Sequence, residues 1–306
     1  MAKDFTNQHI VPKRYLDRFG EKADRKIIIG TRLKQKGKLK FFTASTEDVG
    51  YIKNYYDVTD KSDSKYWEHF FAIEIDRFCG RDMENIIAKA ILSPENAVIL
   101  SESDKEVLSK VINAQMMRIP YSVDYVDEKI YPRVSKQVKD NLISALPPSF
   151  REKYEEQIKN VELSNTERKE VAFNHIFAPE NFDRYCNILK DGIWVAYVNT
   201  MRNYMPFVTS DNPVLVEGLG RKEIGLFNNG IATPSTCIFY PLSPLVAVGI
   251  YSRKGFCGIS ADKLDGRKKY LNELKFIINK NSKIIDQAYH HSFFPQPLFD
   301  IISEKG

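Results

Sequence analysis

The feature that most constrains the fold is a long region of helical periodicity in the middle of the chain. From Ser64 to about Leu189, apolar residues recur at the three- and four-residue spacing of amphipathic helices. Prolines at 120, 147 and 148 divide this region into separate helices. β-type runs lie on both sides of it. Such segregation of strands from helices is typical of α+β proteins rather than of alternating α/β proteins.

The flanking segments carry strand patterns. Lys26–Lys34 and Lys38–Ala44 are predicted to form a β-hairpin around a Gln-Lys-Gly-Lys turn. After the helical region, short β-type runs are predicted at Trp194–Val198, Phe207–Thr209, Val214–Glu217, Cys237–Tyr240 and Leu245–Tyr251. Lys268–Phe294 is predicted to be helical, ending at Pro295. We therefore expect an N-terminal β-hairpin, a central helical bundle, and a C-terminal antiparallel or mixed sheet with a closing helix.

The length of 306 residues is sufficient for a sizeable core, and no internal repeat divides it. We expect a single compact unit over residues 1–306. Its sub-regions are a basic N-terminal hairpin at 1–60, a helical part at 61–190, and a β-rich part with a terminal helix at 191–306.

Several classes of protein are excluded by composition. No run of 18 apolar residues is present, so we expect no membrane-spanning helix, and the N-terminus lacks the apolar stretch of a secretory signal. The four cysteines are widely spaced, which argues against a disulfide framework and a structural zinc site. These patterns predict a cytoplasmic protein with reduced thiols and no membrane partner.

The net charge of +5 is unevenly distributed. Residues 1–40 carry a net +8, residues 251–285 a net +6, and the remainder a net −9. Basic segments favour a polyanionic partner, and nucleic acid is the candidate. Lysines exposed on solvated elements are the alternative explanation.

Polar residues occupy positions where a helix would bury apolar ones. Glu74 follows Trp67 and Phe71 at helical spacing, which predicts a carboxylate on an aromatic face. Gln115 and Arg118 share one stripe of a helix that a capping box at Ser103 and Glu106 is predicted to begin. Because a buried carboxylate needs a cation, Arg118 is the predicted partner of Glu74. A structural ion pair between two helices is the alternative to a functional site.

His9 begins a His-x-x-Pro segment similar to the start of HNH nucleases, in which the histidine activates water. Gln8 stands where an acidic ligand would be expected, and no zinc-knuckle cysteines follow, so a structural histidine stays the alternative.

A second polar segment, Ser210-Asp211-Asn212-Pro213, ends a predicted strand. These side chains either present oxygens and an amide at the strand end or form a turn by bonding their own backbone.

The ordered motifs resemble the bacterial family called domain of unknown function 4238. The resemblance covers nearly the whole chain and implies a bacterial or phage origin and one recurring pocket, but no activity. It is carried by His9, Pro12, Tyr15, Leu16 and Phe19; by Ile73-Glu74; by Gln115, Arg118 and Pro120; by Ser210 to Pro213; by Pro241 to Pro244; and by Asn279 and Ala288.

These observations lead to one hypothesis and one alternative. The hypothesis is a phosphodiester-cleaving enzyme, a nuclease of the defence or toxin type, with His9, Glu74, Arg118 and Asp211 as catalytic residues. Substrate contacts are assigned to Gln115, Ser210, Asn212, Lys34 and Lys38. The cofactor is left open, with a divalent cation as the candidate, and the oligomeric state is not predicted. The alternative is a non-catalytic binding or sensor module that holds a small anion or peptide in the same pocket.

Overall fold

A computed structural model describes residues 7–23, 26–35, 38–57, 65–218, 231–256 and 263–303. The N-terminal part contains β1 (Asn7–His9), α1 (Lys13–Leu16), β2 (Glu21–Ala23), β3 (Lys26–Gln35), β4 (Lys38–Ser45) and β5 (Tyr51–Lys53). The predicted hairpin is confirmed, since β3 and β4 pair antiparallel from Ile28 with Ser45 to Gln35 with Lys38. Its turn residues 36–37 lie outside the described residues.

The middle of the chain is helical, as predicted. It contains α2 (Tyr66–Phe70), a π-helical turn (Phe71–Ile75), a 3₁₀ turn (Asp76–Cys79), α3 (Arg81–Leu92), α4 (Glu102–Met117), α5 (Pro120–Tyr125), a second π-helical turn (Val126–Ile130), α6 (Tyr131–Ala145), α7 (Pro148–Lys159), α8 (Asn165–Ile176) and α9 (Pro179–Lys190). Several of these helices begin with a proline in the first turn, where its missing N–H costs no helical hydrogen bond.

The capping box of α4 lies two residues earlier than predicted. Ser101, not Ser103, has the extended backbone of an N-cap, and its hydroxyl accepts from the backbone N–H of Asp104. The Asp104 carboxylate accepts in return from the Ser101 N–H at 2.9 Å. Aspartate fills the place that the prediction gave to Glu106, because it too can reach back to the N-cap.

The C-terminal part contains β6 (Ile193–Asn199), β7 (Thr209–Ser210), β8 (Leu215–Gly218), β9 (Thr236–Pro241), β10 (Val246–Tyr251), a 3₁₀ turn (Arg253–Phe256), β11 (Arg267–Leu271), α10 (Leu274–Asp286), β12 (His291–Phe294) and α11 (Gln296–Ser303). A five-stranded sheet has the order β11-β6-β10-β9-β8. It is mixed, because β11 runs parallel to β6 while the other pairs are antiparallel.

The predicted helix over Lys268–Phe294 is wrong at both ends. Lys268 lies in β11, His290 directly precedes β12 and His291 begins it, so only Leu274–Asp286 is helical. Pairing with strands distant in sequence overrides the local helical pattern here. The chain continues past Pro295 into α11, so Pro295 precedes a further helix.

The two ends of the chain meet in a second sheet of order β2-β3-β12-β7, with β4 on the other edge of β3. α11 packs over this sheet at Gly30, where a Cβ atom would lie 2.3 Å from the Phe299 side chain. Glycine is required there because the helix approaches the strand so closely.

The sheet of order β11-β6-β10-β9-β8 is buried on both faces. Ile238 and Tyr240 of β9 face the larger core with the central helices, whereas Phe239 faces a smaller core with α10 and α11. The architecture is α+β, as predicted. Among the described residues, no helix is long and apolar enough to cross a membrane.

Candidate functional site

His9 ends β1 just before the chain turns into α1. Burial lowers the pKa of its imidazole, the positive charges of Arg118 and Lys13 lower it further, and a hydrogen bond to the Thr46 backbone opposes them. Nε2 is buried and has no hydrogen-bond partner within the described residues. The ring is therefore neutral near pH 7, with its N–H held by the backbone and a free lone pair on Nε2.

Arg118 lies at the C-terminal end of α4 with only 1% of its surface exposed. Its Nη1 donates to Asp76 Oδ1 at 2.9 Å, and its Nη2 donates to Gln115 Oε1 at 2.7 Å. The guanidinium lies 5.2 Å from the Phe71 ring centroid and hydrogen-bonds the Tyr56 side chain. Asp76 matches the charge of this buried cation, whereas its Nε is buried without a hydrogen-bond partner within the described residues.

The same residues connect Arg118 to His9. Gln115 Nε2 donates to the Ile10 carbonyl at 2.9 Å, and the Tyr56 hydroxyl donates to the His9 carbonyl at 3.1 Å. His9, Gln115 and Arg118, which the sequence predicted to meet, thus belong to one polar cluster. We call it the Arg118 cluster and define it as His9, Tyr56, Glu68, Asp76, Gln115 and Arg118.

Glu74 does not face this cluster, which corrects the predicted stripe. Its side chain is 54% exposed, and its ion pair is a long contact of 4.0 Å with Arg77. The α-helix changes into a π-helical turn at Phe71, so the buried positions become Phe71 and Ile75. The cation Arg118 pairs with Asp76 instead of Glu74.

Two carboxylates of the cluster, Glu68 and Asp76, were not predicted from the sequence. Burial and the negative charge of Asp76 raise the pKa of Glu68 to about 7, although Arg118 opposes them. Burial raises the pKa of Asp76, and the charge and hydrogen bond of Arg118 lower it in part. Glu68 follows Trp67 directly, and Asp76 follows Ile75. The apolar four-residue spacing of Trp67, Phe71, Ile75 and Cys79 was the available signal.

Asp211 lies elsewhere and holds the backbone. Its carboxylate accepts hydrogen bonds from the backbone N–H groups of Tyr289, His290 and His291 at 2.7, 2.7 and 2.8 Å. It is 1% exposed, and none of its hydrogen bonds or ion pairs in the described part of the chain reaches His9 or Arg118. These contacts anchor the start of β12 to β7.

Ser210 and Asn212 complete this anchor. The Ser210 hydroxyl donates to the Asn212 carbonyl at 2.8 Å, which forms the local turn expected before Pro213. Asn212 Nδ2 donates to the Gln287 carbonyl at 3.2 Å. The substrate contacts predicted for these residues stay predictions, and the polar groups named here bond the protein's own backbone.

Lys34 and Lys38 lie at the far end of the β3–β4 hairpin, both exposed. The His-x-x-Pro-x-x-Tyr segment, by contrast, is central. The Tyr15 hydroxyl contacts Thr209 Oγ1 at 2.7 Å and donates to the Pro241 carbonyl at 2.8 Å, so it joins α1 to both sheets.

The described residues contain no group of three or more His, Cys, Asp or Glu side chains placed to hold a metal ion. Of the residues assigned to catalysis from the sequence, His9 and Arg118 belong to the Arg118 cluster, Asp211 to the anchor of β12, and Glu74 to the surface.

Comparison with known proteins leaves this geometry as the main guide to function. No curated protein and no solved structure matches the chain. A family model described as "Protein of unknown function (DUF4238)" matches residues 7–291, which is nearly the whole length, and the chain therefore belongs to the DUF4238 family.

Proposed function

We propose that the protein is a hydrolase that cleaves phosphodiesters, with the Arg118 cluster as its catalytic site. One observation carries the proposal. Around one guanidinium, the pKa of His9 is lowered from 6.5 while that of Glu68 is raised to about 7. Hydrolytic sites typically contain a base and an acid whose surroundings shift their pKa values so that both can transfer protons near neutral pH.

The chemistry assigned to these residues is a balanced hydrolysis. His9 Nε2 takes a proton from a water molecule, whose oxygen bonds to phosphorus. Glu68, in its protonated form, gives its proton to the leaving oxygen as the phosphorus–oxygen bond breaks. The products are a phosphomonoester and an alcohol, and solvent restores the protons on both residues.

Arg118 acts in this scheme as a positioning residue. Asp76 and Gln115 occupy its two terminal nitrogens, so its contribution is a fixed positive charge that adds to the larger effect of burial in lowering the pKa of His9. Its hydrogen-bonded neighbours Tyr56 and Gln115 hold the backbone at His9 and Ile10. The carboxylates assigned to the site are thus Glu68 and Asp76 rather than Glu74.

The basic hairpin supports a polyanionic substrate. β12 pairs with β3 over Gly30–Leu33, and beyond Leu33 the hairpin continues as a two-stranded ribbon. Strand alternation puts Lys38 and Lys40 on one face and Lys34 on the other, and all three are exposed. Lysines on both faces of a narrow β-ribbon suit insertion into a groove of a nucleic acid duplex.

The direct test is cleavage of mixed RNA and DNA by purified protein, with and without EDTA. His9→Ala and Glu68→Gln are each expected to reduce the rate at least about 100-fold while the protein stays folded. Glu74→Gln is the matched control, since it removes the same charge from an exposed position six residues away, and it should retain the wild-type rate. Wild-type rates in both site variants would contradict the proposal. Loss of cleavage in the presence of EDTA would show that the reaction needs a divalent cation.

A second candidate is a protein that binds nucleic acid without cleaving it. The enclosure of Arg118 by Asp76, Gln115 and Phe71 favours it, because both terminal nitrogens already have partners and the side chain is 1% exposed, which keeps a phosphate away from the guanidinium. This candidate predicts no cleavage in any buffer of that assay. It also predicts that the protein binds the same nucleic acids and that the affinity falls as the salt concentration rises.

The pH dependence of cleavage gives an independent prediction. Below the lowered pKa of His9 the base is protonated and the rate should fall, whereas above the pKa of about 7 for Glu68 the acid is ionised and the rate should fall again. A bell-shaped rate profile is therefore expected. Glu68→Gln should remove the alkaline limb from the residual activity. A profile that rises steadily through pH 9 would exclude Glu68 as the acid.

A further inference from the structure

One face of α6 is apolar and exposed. Val134, Val138 and Leu142 lie four residues apart, and their exposed fractions are 50%, 50% and 54%. Residues at this spacing are neighbours on an α-helix, so the three side chains form a continuous ridge. Of the residues of α6, only Ile143 is buried, and it points about 140° away from Val138 around the helix axis. The helix therefore contacts the rest of the protein along another face and presents this α6 ridge to solvent.

The α6 ridge also lacks charge. The charged residues of α6 are Arg133, Lys136, Lys139 and Asp140, and each points at least about 100° away from Val138. The other residues within about 60° of Val138 are all uncharged, and they are Tyr131, Ser135, Asn141 and Ala145. A solvent-facing helix surface normally carries charged side chains. An apolar patch without charges is instead typical of the centre of a protein–protein interface.

The spacing of the ridge makes it complementary to itself. Val138 lies midway between Val134 and Leu142, so a two-fold axis at Val138 places Val134 of one copy against Leu142 of a second copy. The symmetry repeats the same contact on the other side of the axis. In this antiparallel pair Tyr131 lies opposite Ala145, a large side chain opposite a small one. Apolar contacts with large and small residues on facing positions are the basis of close helix packing.

The absence of charge also selects the partner. Nucleic acid is bound through cations that face its phosphates, and the ridge has none. A partner with a charged surface would lose the hydration of its charges against the ridge without gaining an ion pair. A second copy brings the same uncharged surface, so its association buries apolar groups and no unpaired charge.

We propose that the protein dimerises through α6, with two copies packed antiparallel along Val134, Val138 and Leu142 and a two-fold axis at Val138. The contact involves one helix of 15 residues from each copy. Its area is below the roughly 1,200–2,000 Å² of stable interfaces, so the dimer should dissociate on dilution. The inference does not depend on the function proposed for the Arg118 cluster, because α6 contributes no residue to that cluster.

Sedimentation velocity of the full chain between about 1 and 100 μM tests the dimer. The wild type should change from monomer to dimer as the concentration rises. Val138→Glu should weaken dimerisation at least about 100-fold, because two carboxylates would meet on the axis. Leu92→Glu makes the equivalent change on α3, at a leucine that is 82% exposed, and should dimerise as the wild type does. Circular dichroism checks that both variants are folded.

Cysteine cross-linking tests the position of the axis. Residue 138 meets its own copy there, so Val138→Cys should form a disulfide-linked dimer under mild oxidation. Val134→Cys should cross-link with Leu142→Cys in a mixed sample but not with itself, because the two copies of residue 134 would lie about 12 Å apart along the helices. Leu92→Cys and the wild type are the controls for chance contacts and for the native cysteines, and neither should cross-link.

Several results would overturn the proposal. A monomer at every concentration would exclude the dimer, and unchanged dimerisation of Val138→Glu would exclude α6 as its interface. Efficient cross-linking of Val134→Cys with itself would exclude the antiparallel pair. A monomer that sediments with vesicles of anionic phospholipid, and loses this binding in Val138→Glu, would assign the ridge to a lipid surface instead.

Discussion

Asp76→Asn is expected to lower the free energy of unfolding by about 3–5 kcal/mol, the cost of leaving a buried charge without its partner. The side chain keeps its shape but loses its charge, and the Arg118 guanidinium stays enclosed with 1% of its surface exposed. Gln115 and Tyr56 still satisfy hydrogen bonds of Arg118, but neither is an anion. Urea denaturation followed by circular dichroism measures the loss.

Two further variants give this prediction its control. Glu74→Gln removes a carboxylate from the same segment, yet it should change stability by less than about 1 kcal/mol, as exposed ion pairs contribute little. Asp76→Leu combined with Arg118→Met replaces both charges with apolar groups and should recover most of the loss. Equal stability of Asp76→Asn and Glu74→Gln would show that the ion pair between Arg118 and Asp76 does not stabilise the fold.

The hairpin and the central helices could be predicted because local sequence determines them. β3 and β4 pair with each other across a short turn, so strand propensity and turn residues in a short segment suffice. α4 begins at a capping box and ends near a proline, and its apolar spacing is regular. Even there, the choice between two neighbouring serines as N-cap depended on backbone geometry.

The polar cluster was only partly predictable. Gln115 and Arg118 stand on an apolar stripe of a regular helix, so their burial followed from spacing. The prediction put Glu74 on the buried face, which is wrong because a π-helical turn changes the number of residues per turn. The local sequence pattern does not indicate that turn. Asp76 thereby took the position that the prediction gave to Glu74.

The C-terminal strands show the limit set by distance along the chain. β12 has four residues and pairs with β3 at the opposite end of the sequence. Its local pattern is compatible with a helix, and only the partner strand decides the outcome. The catalytic role of Asp211 likewise stays a prediction, whereas its turn-forming segment was predicted from the residues before Pro213.

Asp211→Ala is expected to lower the free energy of unfolding by about 3 kcal/mol, since three backbone N–H groups lose their acceptor at about 1 kcal/mol or more each. The cost is concentrated at one place, because Tyr289, His290 and His291 lead into the strand that joins the two ends of the chain. Asp211→Asn retains one carbonyl oxygen and should lose about half as much.

The measurement combines urea denaturation with hydrogen exchange. In Asp211→Ala the amides of residues 289–291 should lose their protection, and those of β12 should follow, because Ser292 and Phe293 pair with β7 beside the mutated residue. Asp183→Ala removes the same side chain from an exposed position on α9 and should leave both observables unchanged. If Asp211→Ala were as stable as this control and kept the protection of 289–291, the Asp211 carboxylate would not be needed for stability. The catalytic role that the sequence predicted for Asp211 would then be the better explanation of its burial.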